Sequence, residues 1–396
     1  MNFADRMSRL GTENAFEVLA EVKKLEAQGR DVVSFAIGEP DFDTPEHIKE
    51  AAIRAMAGNE THYAPSAGIL PLREEIASYV ARTRNIEVHP DEVVVTPGAK
   101  PIMFFTIQAL VNPGDEVIYP TPGFPIYESL IRFVGGHPVP VPLLEERNFS
   151  FDVEYLAKLI TPKTKLIILN SPQNPTGGML SYEDLRFLSE LAVQHDLWVL
   201  ADEIYSRIVY SGEFHSISSF PGMKERTVIL DGFSKTYAMT GWRLGYGVMN
   251  RRLAELVARL VTNSESCTNT FVQYGGIAAL TGPQDAVTAM VAEFKARRDL
   301  IVEELNRIPG VKCLVPGGAF YVYPNVSGVC QNLGFASAKE LQQHFLHAAG
   351  VAVLPRTAFG SRTEHENGEY IRLSYATSRE KIREGISRMR EAVERA

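Results

Sequence analysis

Between about Pro90 and Val248 the chain alternates short apolar runs with longer amphipathic stretches, and few architectures accept that alternation. It predicts an α/β sheet with helices laid over it. The runs that read as strands are Glu92 to Thr96, Glu116 to Tyr119, Lys165 to Asn170, Leu197 to Ala201, Thr227 to Leu230 and Leu244 to Val248. Several end at polar or glycine-containing turns. Ligands of open α/β sheets collect outside the carboxyl ends of the strands, so those turns are where chemistry is expected.

A second pattern begins near Ala286, where a long helical stretch runs through Arg297 and Arg298 to Asn306 and is stopped by Ile308-Pro309-Gly310. Beyond it come the apolar run Ala319 to Val322, a helix from about Ala338 to Ala349, the runs Val351 to Leu354 and Tyr370 to Ser374, and a closing helix from Arg379. Strands followed by segregated helices predict a smaller α+β lobe. The run Val32 to Ile37 is expected to pack with it. The division that follows is a large domain over residues 44–285 and a small domain made from residues 1–43 and 286–396.

Composition narrows the function. The 396 residues are 45% hydrophobic, enough for a large core, and the formal net charge is -8 with no isolated basic block. Nucleic acid and anionic membrane surfaces are therefore not expected partners. Met1 to Leu10 lacks the apolar stretch of a signal peptide, and no run reaches membrane-spanning length. The three cysteines, Cys267, Cys313 and Cys330, show no CxxC spacing, so free thiols and a cytoplasmic location are expected. His344 and His347 share a helical face, but no nearby carboxylate or cysteine completes a metal site.

Four segments carry chemistry. In Gly232-Phe233-Ser234-Lys235-Thr236, a lysine follows an apolar strand in a turn of small residues, and Arg243 lies eight positions on. Such a lysine can form an imine while the arginine holds a phosphate, although a lone loop lysine is usually solvated. Asp202 ends an apolar run, where it can act as a buried acid or as a helix N-cap. Tyr205 reaches the same side if the chain turns helical there. Asn170 to Gly178 is a loop pinned by two prolines, which presents Asn174 as a fixed amide. Thr96-Pro97-Gly98-Ala99-Lys100 is a strand-to-helix turn whose free N–H groups can cradle phosphate, without a Walker or G-x-G-x-x-G pattern.

Taken with Gly38-Glu39-Pro40-Asp41-Phe42, Tyr63-Ala64-Pro65-Ser66-Ala67-Gly68 and Ile371-Arg372-Leu373-Ser374-Tyr375, these segments resemble the class I/II aminotransferases of the aspartate aminotransferase superfamily, fold type I of the pyridoxal 5'-phosphate enzymes. The likeness covers nearly the whole chain. It implies an α/β large domain with a mostly parallel seven-stranded sheet between helices, plus a smaller α+β domain. It also implies that Lys235 carries the cofactor as an imine and moves protons, and that Asp202 partners the pyridine nitrogen. Tyr205 and Asn174 would bond the ring hydroxyl. Arg243, Ser234 and the backbone of Gly98, Ala99 and Lys100 would bind the phosphate, joined by Tyr63 from the other subunit of a homodimer. Phe124 would lie against the ring, and Arg372 would grip the substrate α-carboxylate with help from Gly38 and Asn174.

Two departures stand out. Gly232 occupies a position where many members place serine or threonine, and Phe124 one often held by tryptophan or tyrosine. The reaction implied is a ping-pong transfer of an amino group from an L-amino acid to a 2-oxo acid. The competing readings are β-elimination on the same fold and, from another class, a ligand-sensing regulator, which would need a basic DNA-binding segment that this chain lacks. A distal substrate carboxylate would need a further cation, for which Lys100 is the candidate.

Overall fold

The computed structural model describes residues 2–395. Its central sheet contains β1 (Val93–Thr96), β2 (Glu116–Thr121), β3 (His137–Leu144), β4 (Ser150–Phe151), β5 (Thr164–Asn170), β6 (Trp198–Asp202), β7 (Thr227–Gly232) and β8 (Gly245–Val248). The eight strands lie in the order β1-β8-β7-β6-β5-β2-β3-β4. Pairing is parallel from β7 through β6, β5 and β2 to β3, whereas β8 runs antiparallel to both its neighbours and β4 runs antiparallel to β3. The sheet is therefore mostly parallel, with one strand more than the seven expected, because the two-residue β4 extends its edge.

Successive residues of β5 show why these runs form central strands. Leu166 and Ile168 join one apolar cluster, while Ile167 and Leu169 join the cluster on the opposite face. Both faces are buried under helices, as a parallel sheet requires. Each such side chain contributes about 1.5–3 kcal/mol of burial. Because β6 lies between β5 and β7, the turns that follow these three strands emerge side by side.

Five helices matter for the site and its support: α1 (Asn14–Ala27), α2 (Lys100–Leu110), α3 (Ile126–Phe133), α4 (Asp285–Leu305) and α5 (Arg379–Glu394). The second lobe uses a three-stranded antiparallel sheet of Tyr321–Val322, Ile371–Ser374 and Leu354–Pro355. Val33–Ser34 pairs in parallel with Val351–Ala352, so the early segment joins the late one. Val33, Phe35, Phe294, Phe320, Leu373 and Ile386 share one core there. The helix expected from Ala338 to Ala349 is α-helical only to His344 and continues as a π-helix over Phe345–Ala349.

Gly232 stands opposite Gly245 in the β7–β8 ladder. A Cβ there would lie 3.0 Å from the Gly245 Cα and 3.3 Å from the Leu244 carbonyl oxygen, so close strand approach accounts for glycine at this position. Behind the ends of β6 and β7, the buried Arg84 donates to Glu203 (2.9 Å), Asp231 (2.7 Å) and Ser206 (2.9 Å). Burial holds both carboxyls above their usual range, and the guanidinium opposes it. Arg84→Leu would strand two buried carboxyls and should cost about 3–5 kcal/mol. Urea unfolding at neutral pH measures this loss, which should shrink as the pH falls and the carboxyls protonate.

Candidate active site

All the residues expected at the site except Gly98 and Tyr63 line one cavity of about 530 Å³ at the carboxyl ends of the central strands. That volume suits a small organic ligand. Lys235 sits in the turn after β7, and its Nζ donates to the Gly38 carbonyl oxygen at 2.6 Å. Burial pushes its amine down to about 8, against the pull of Glu39, while Arg372 and Arg243 add to the depression. A neutral amine is therefore accessible near neutral pH, as a nucleophilic lysine needs.

Asp202 is the last residue of β6. Burial raises its carboxyl to about 6, although the Tyr127 hydroxyl donates to Oδ2 at 2.5 Å and the Ile204 N–H donates to Oδ1 at 3.3 Å. The second bond closes the turn that follows, so Asp202 caps no helix. The chain after it forms a turn rather than a helix, and that turn still brings Tyr205 to the cavity. The hydroxyls of Tyr205 and Tyr321 lie 2.8 Å apart. Desolvation raises both phenols, so each is protonated at neutral pH. Glu203 faces away, toward Arg84.

Arg372 lies on the strand Ile371–Ser374 with its guanidinium 4.5 Å from the Tyr321 ring centroid and 5.1 Å from that of Phe359. One Nη donates to Asn174 Oδ1 at 2.9 Å and the other to the Ala36 carbonyl, while Nε is buried without a partner. Asn174 is itself set by its backbone N–H, which donates to Asn170 Oδ1 at 2.9 Å. A Cβ on Gly38 would fall 1.9 Å from the Tyr321 hydroxyl, so only glycine fits beside Lys235.

At the other end of the cavity, Gly98 adopts φ +84° and a Cβ there would lie 2.2 Å from Arg243 Nη2. Gly98 thus clears the approach of Arg243 to the start of α2, where unpaired N–H groups and a cation form an anion cradle. Arg243, in left-handed backbone geometry, also donates to the Thr240 carbonyl at 2.8 Å. Ser234 lines the same cavity. The phenyl ring of Phe124 meets Tyr127 edge-on at 5.7 Å. An anion cradle, a buried carboxyl and a depressed amine in one cavity fit a phosphorylated pyridine aldehyde. Tyr63 is 90% exposed and outside this cavity.

Tyr127, Tyr321 and Glu13 also face or support the cavity, and sequence reading assigned none of them. In cofactor-free protein, the acetylation rate of Lys235 by acetic anhydride, followed by peptide mapping, should titrate with a midpoint near its depressed value of about 8. Ordinary surface lysines titrate near 10.4, so a midpoint there would remove the buried-amine account.

Residues 30–389 match the model of the family "Aminotransferase class I and II". A probable aspartate/prephenate aminotransferase of Aquifex aeolicus is 42% identical over 99% of this chain and 98% of its own. The aspartate aminotransferase of Bacillus subtilis is 40% identical over the full length of both chains. The solved aspartate aminotransferase of Rhizobium meliloti superposes with a TM-score of 0.94 at 36% identity, covering 100% of this chain and 99% of that one. The fold and these full-length matches make the chain a member of the class I and II aminotransferases, a pyridoxal 5'-phosphate-dependent enzyme.

Proposed function

We propose that Lys235 holds the cofactor through its amine and, once released, carries the substrate α-proton as general base and acid. One juxtaposition supports this: a buried amine titrating near 8 shares a cavity with a buried carboxyl and with arginines at both ends. Pyridoxal phosphate supplies an electron-withdrawing ring that spreads the charge left when the α-proton departs. Asp202 would keep the ring nitrogen protonated, and Tyr127 holds the carboxylate in place. Arg243, Ser234 and the backbone N–H groups of the turn Gly98-Ala99-Lys100 would hold the phosphate, with Phe124 against the ring. Tyr205 and Asn174 would bond the ring hydroxyl.

Arg372 has an unpartnered Nε and a guanidinium packed against the rings of Tyr321 and Phe359, so it is pre-arranged to pair with an α-carboxylate. Gly38 and Asn174 would flank that carboxylate. After borohydride treatment of the loaded enzyme, peptide mapping should find the cofactor on Lys235. Lys235→Ala should take no label and lose at least about 10²–10⁴ in rate, the usual worth of general acid–base catalysis. Label on any other lysine would end the assignment.

The working unit proposed is a homodimer in the cytoplasm, with residues 44–285 as one domain and residues 1–43 and 286–396 as the other. Support for the last comes from the pairing of Val33–Ser34 with Val351–Ala352. No helix among the described residues is long and apolar enough to cross a membrane, and the three cysteines are free. Around the exposed Tyr63 the backbone is pinned, since Thr270 donates to the His62 carbonyl at 2.6 Å and the Ala64 N–H donates to Cys267 Sγ at 3.4 Å. An exposed phenol on a pinned backbone suits delivery to a two-fold partner's phosphate site. Inactive Lys235→Ala subunits mixed with Tyr63→Phe subunits should form heterodimers with one intact site each. Activity above that of either parent after exchange is expected, and no recovery would mean that Tyr63 serves its own chain.

A further inference from the structure

We infer that Glu13 sets the substrate class of this site by neutralising Lys100, so that the preferred amino donor carries an uncharged, apolar side chain rather than a second carboxylate. The inference rests on the aminotransferase reading above. Among the described residues of this chain, four cations line the cavity: Lys235, Arg243, Arg372 and Lys100. The first three have tasks in that reading, at the cofactor aldehyde, its phosphate and the substrate α-carboxylate. Only Lys100 is left for a distal carboxylate, and a carboxylate entering a partly dry cavity without a cation is strongly disfavoured.

Lys100 is not free. Its Nζ forms an ion pair with Glu13 Oε1 and lies 5.3 Å from the ring centroid of Phe124. Glu13 is the more enclosed partner, with a side chain 17% exposed against 48% for Lys100. It occupies the N-cap position of α1, and that helix is fixed in the core by Val18, Val22 and Leu25. The preceding chain is tied down as well, because the Gly11 N–H donates to the Ser129 hydroxyl at 2.8 Å and Arg9 donates to the Arg132 carbonyl at 2.9 Å. Glu13 is thus held over the cavity and not on a loose end.

Its charge is felt inside. Burial depresses Arg372 and Lys235, and in both the Glu13 carboxylate opposes that depression. A substrate side chain bearing a carboxylate would meet this negative field after losing its cation. The same cavity also offers apolar lining, from Ala15, Phe16, Ile37, Met103, Leu354 and Phe359. An aromatic or branched aliphatic side chain can bury its surface there at no electrostatic cost.

The test uses the loaded enzyme and two unreactive acids, succinate and 3-phenylpropionate, with dissociation constants from calorimetry. Wild-type protein should bind 3-phenylpropionate more tightly. Glu13→Gln should shift the ratio toward succinate by about tenfold, a change of one decade in binding constant. In the double variant Glu13→Gln, Lys100→Met that gain should vanish, because it depends on the released ammonium. Tighter binding of succinate by the wild type, an unchanged ratio in Glu13→Gln, or a gain that survives in the double variant would each overturn the inference. Single-turnover reactions with phenylalanine and aspartate separate the two readings: if neither amino acid aminates the cofactor, the catalytic assignment fails while the binding ratio still decides the role of Glu13.

Discussion

Water is withdrawn from an amine and a carboxyl at one end of a single sheet, and much of the surrounding structure exists to make that tolerable. Lys235 loses hydration and falls to about 8, and Asp202 loses hydration and rises to about 6. Desolvation disfavours the charged form of each group. In the protein without its cofactor this has a consequence for stability. Asp202 holds its proton in the folded state up to about pH 6 but releases it near 3.8 when unfolded, so folding stability falls as the pH rises from about 4 to 6. In the proposed arrangement a cationic ring nitrogen beside the carboxylate would reverse that balance, since it would stabilise the ionised form. Tyr127 and the Ile204 N–H offset part of the burial penalty on Asp202.

A second layer of charge lies directly beneath. Arg84, Glu203 and Asp231 are buried as a group behind β6 and β7, the two strands that present Asp202 and Lys235. Buried ion groups add little net stability compared with apolar packing, but they penalise any arrangement that separates them. The strand ends are thereby held in register from below, while Tyr321 and Arg372 hold the cavity from the second lobe and Tyr321 meets Tyr205 of the first.

How far the chain announced this depends on whether a residue's task is local. Lys235, Asp202 and the Gly98 turn sit at the ends of apolar runs, and strand followed by turn is a pattern that neighbours in sequence can show. β3 escaped because Pro138, Pro140 and Pro142 argue against a strand. They alternate, however, so the missing donors fall on one edge, and that edge has no neighbour until β4 pairs at Leu143. Tyr321 and Tyr127 could not be found from local pattern, because their tasks depend on Tyr205 and Asp202, 116 and 75 positions away. Glu13 is the sharpest case. Lys100 was legible as a cation available to substrate, but its partner lies 87 positions earlier, and only the fold brings the two together.

That distance suggests how a site of this kind divides its labour. The groups to which the chemistry is assigned are buried at strand ends, where a change disturbs packing, hydration and hydrogen bonding together. Lys100 and Glu13 meet at the rim, half in solvent, where an ion pair is worth only about 0–1 kcal/mol to the fold. A substitution at Glu13 therefore alters the field seen by a substrate side chain while the Arg84 group, the Asp202 bonds and the phosphate turn stay as they are. Specificity can move with little cost in stability, because the residue that sets it belongs to α1 and not to the sheet. Relatives that share the catalytic frame can then differ in the donors they accept, without any change in the strands that carry the reaction.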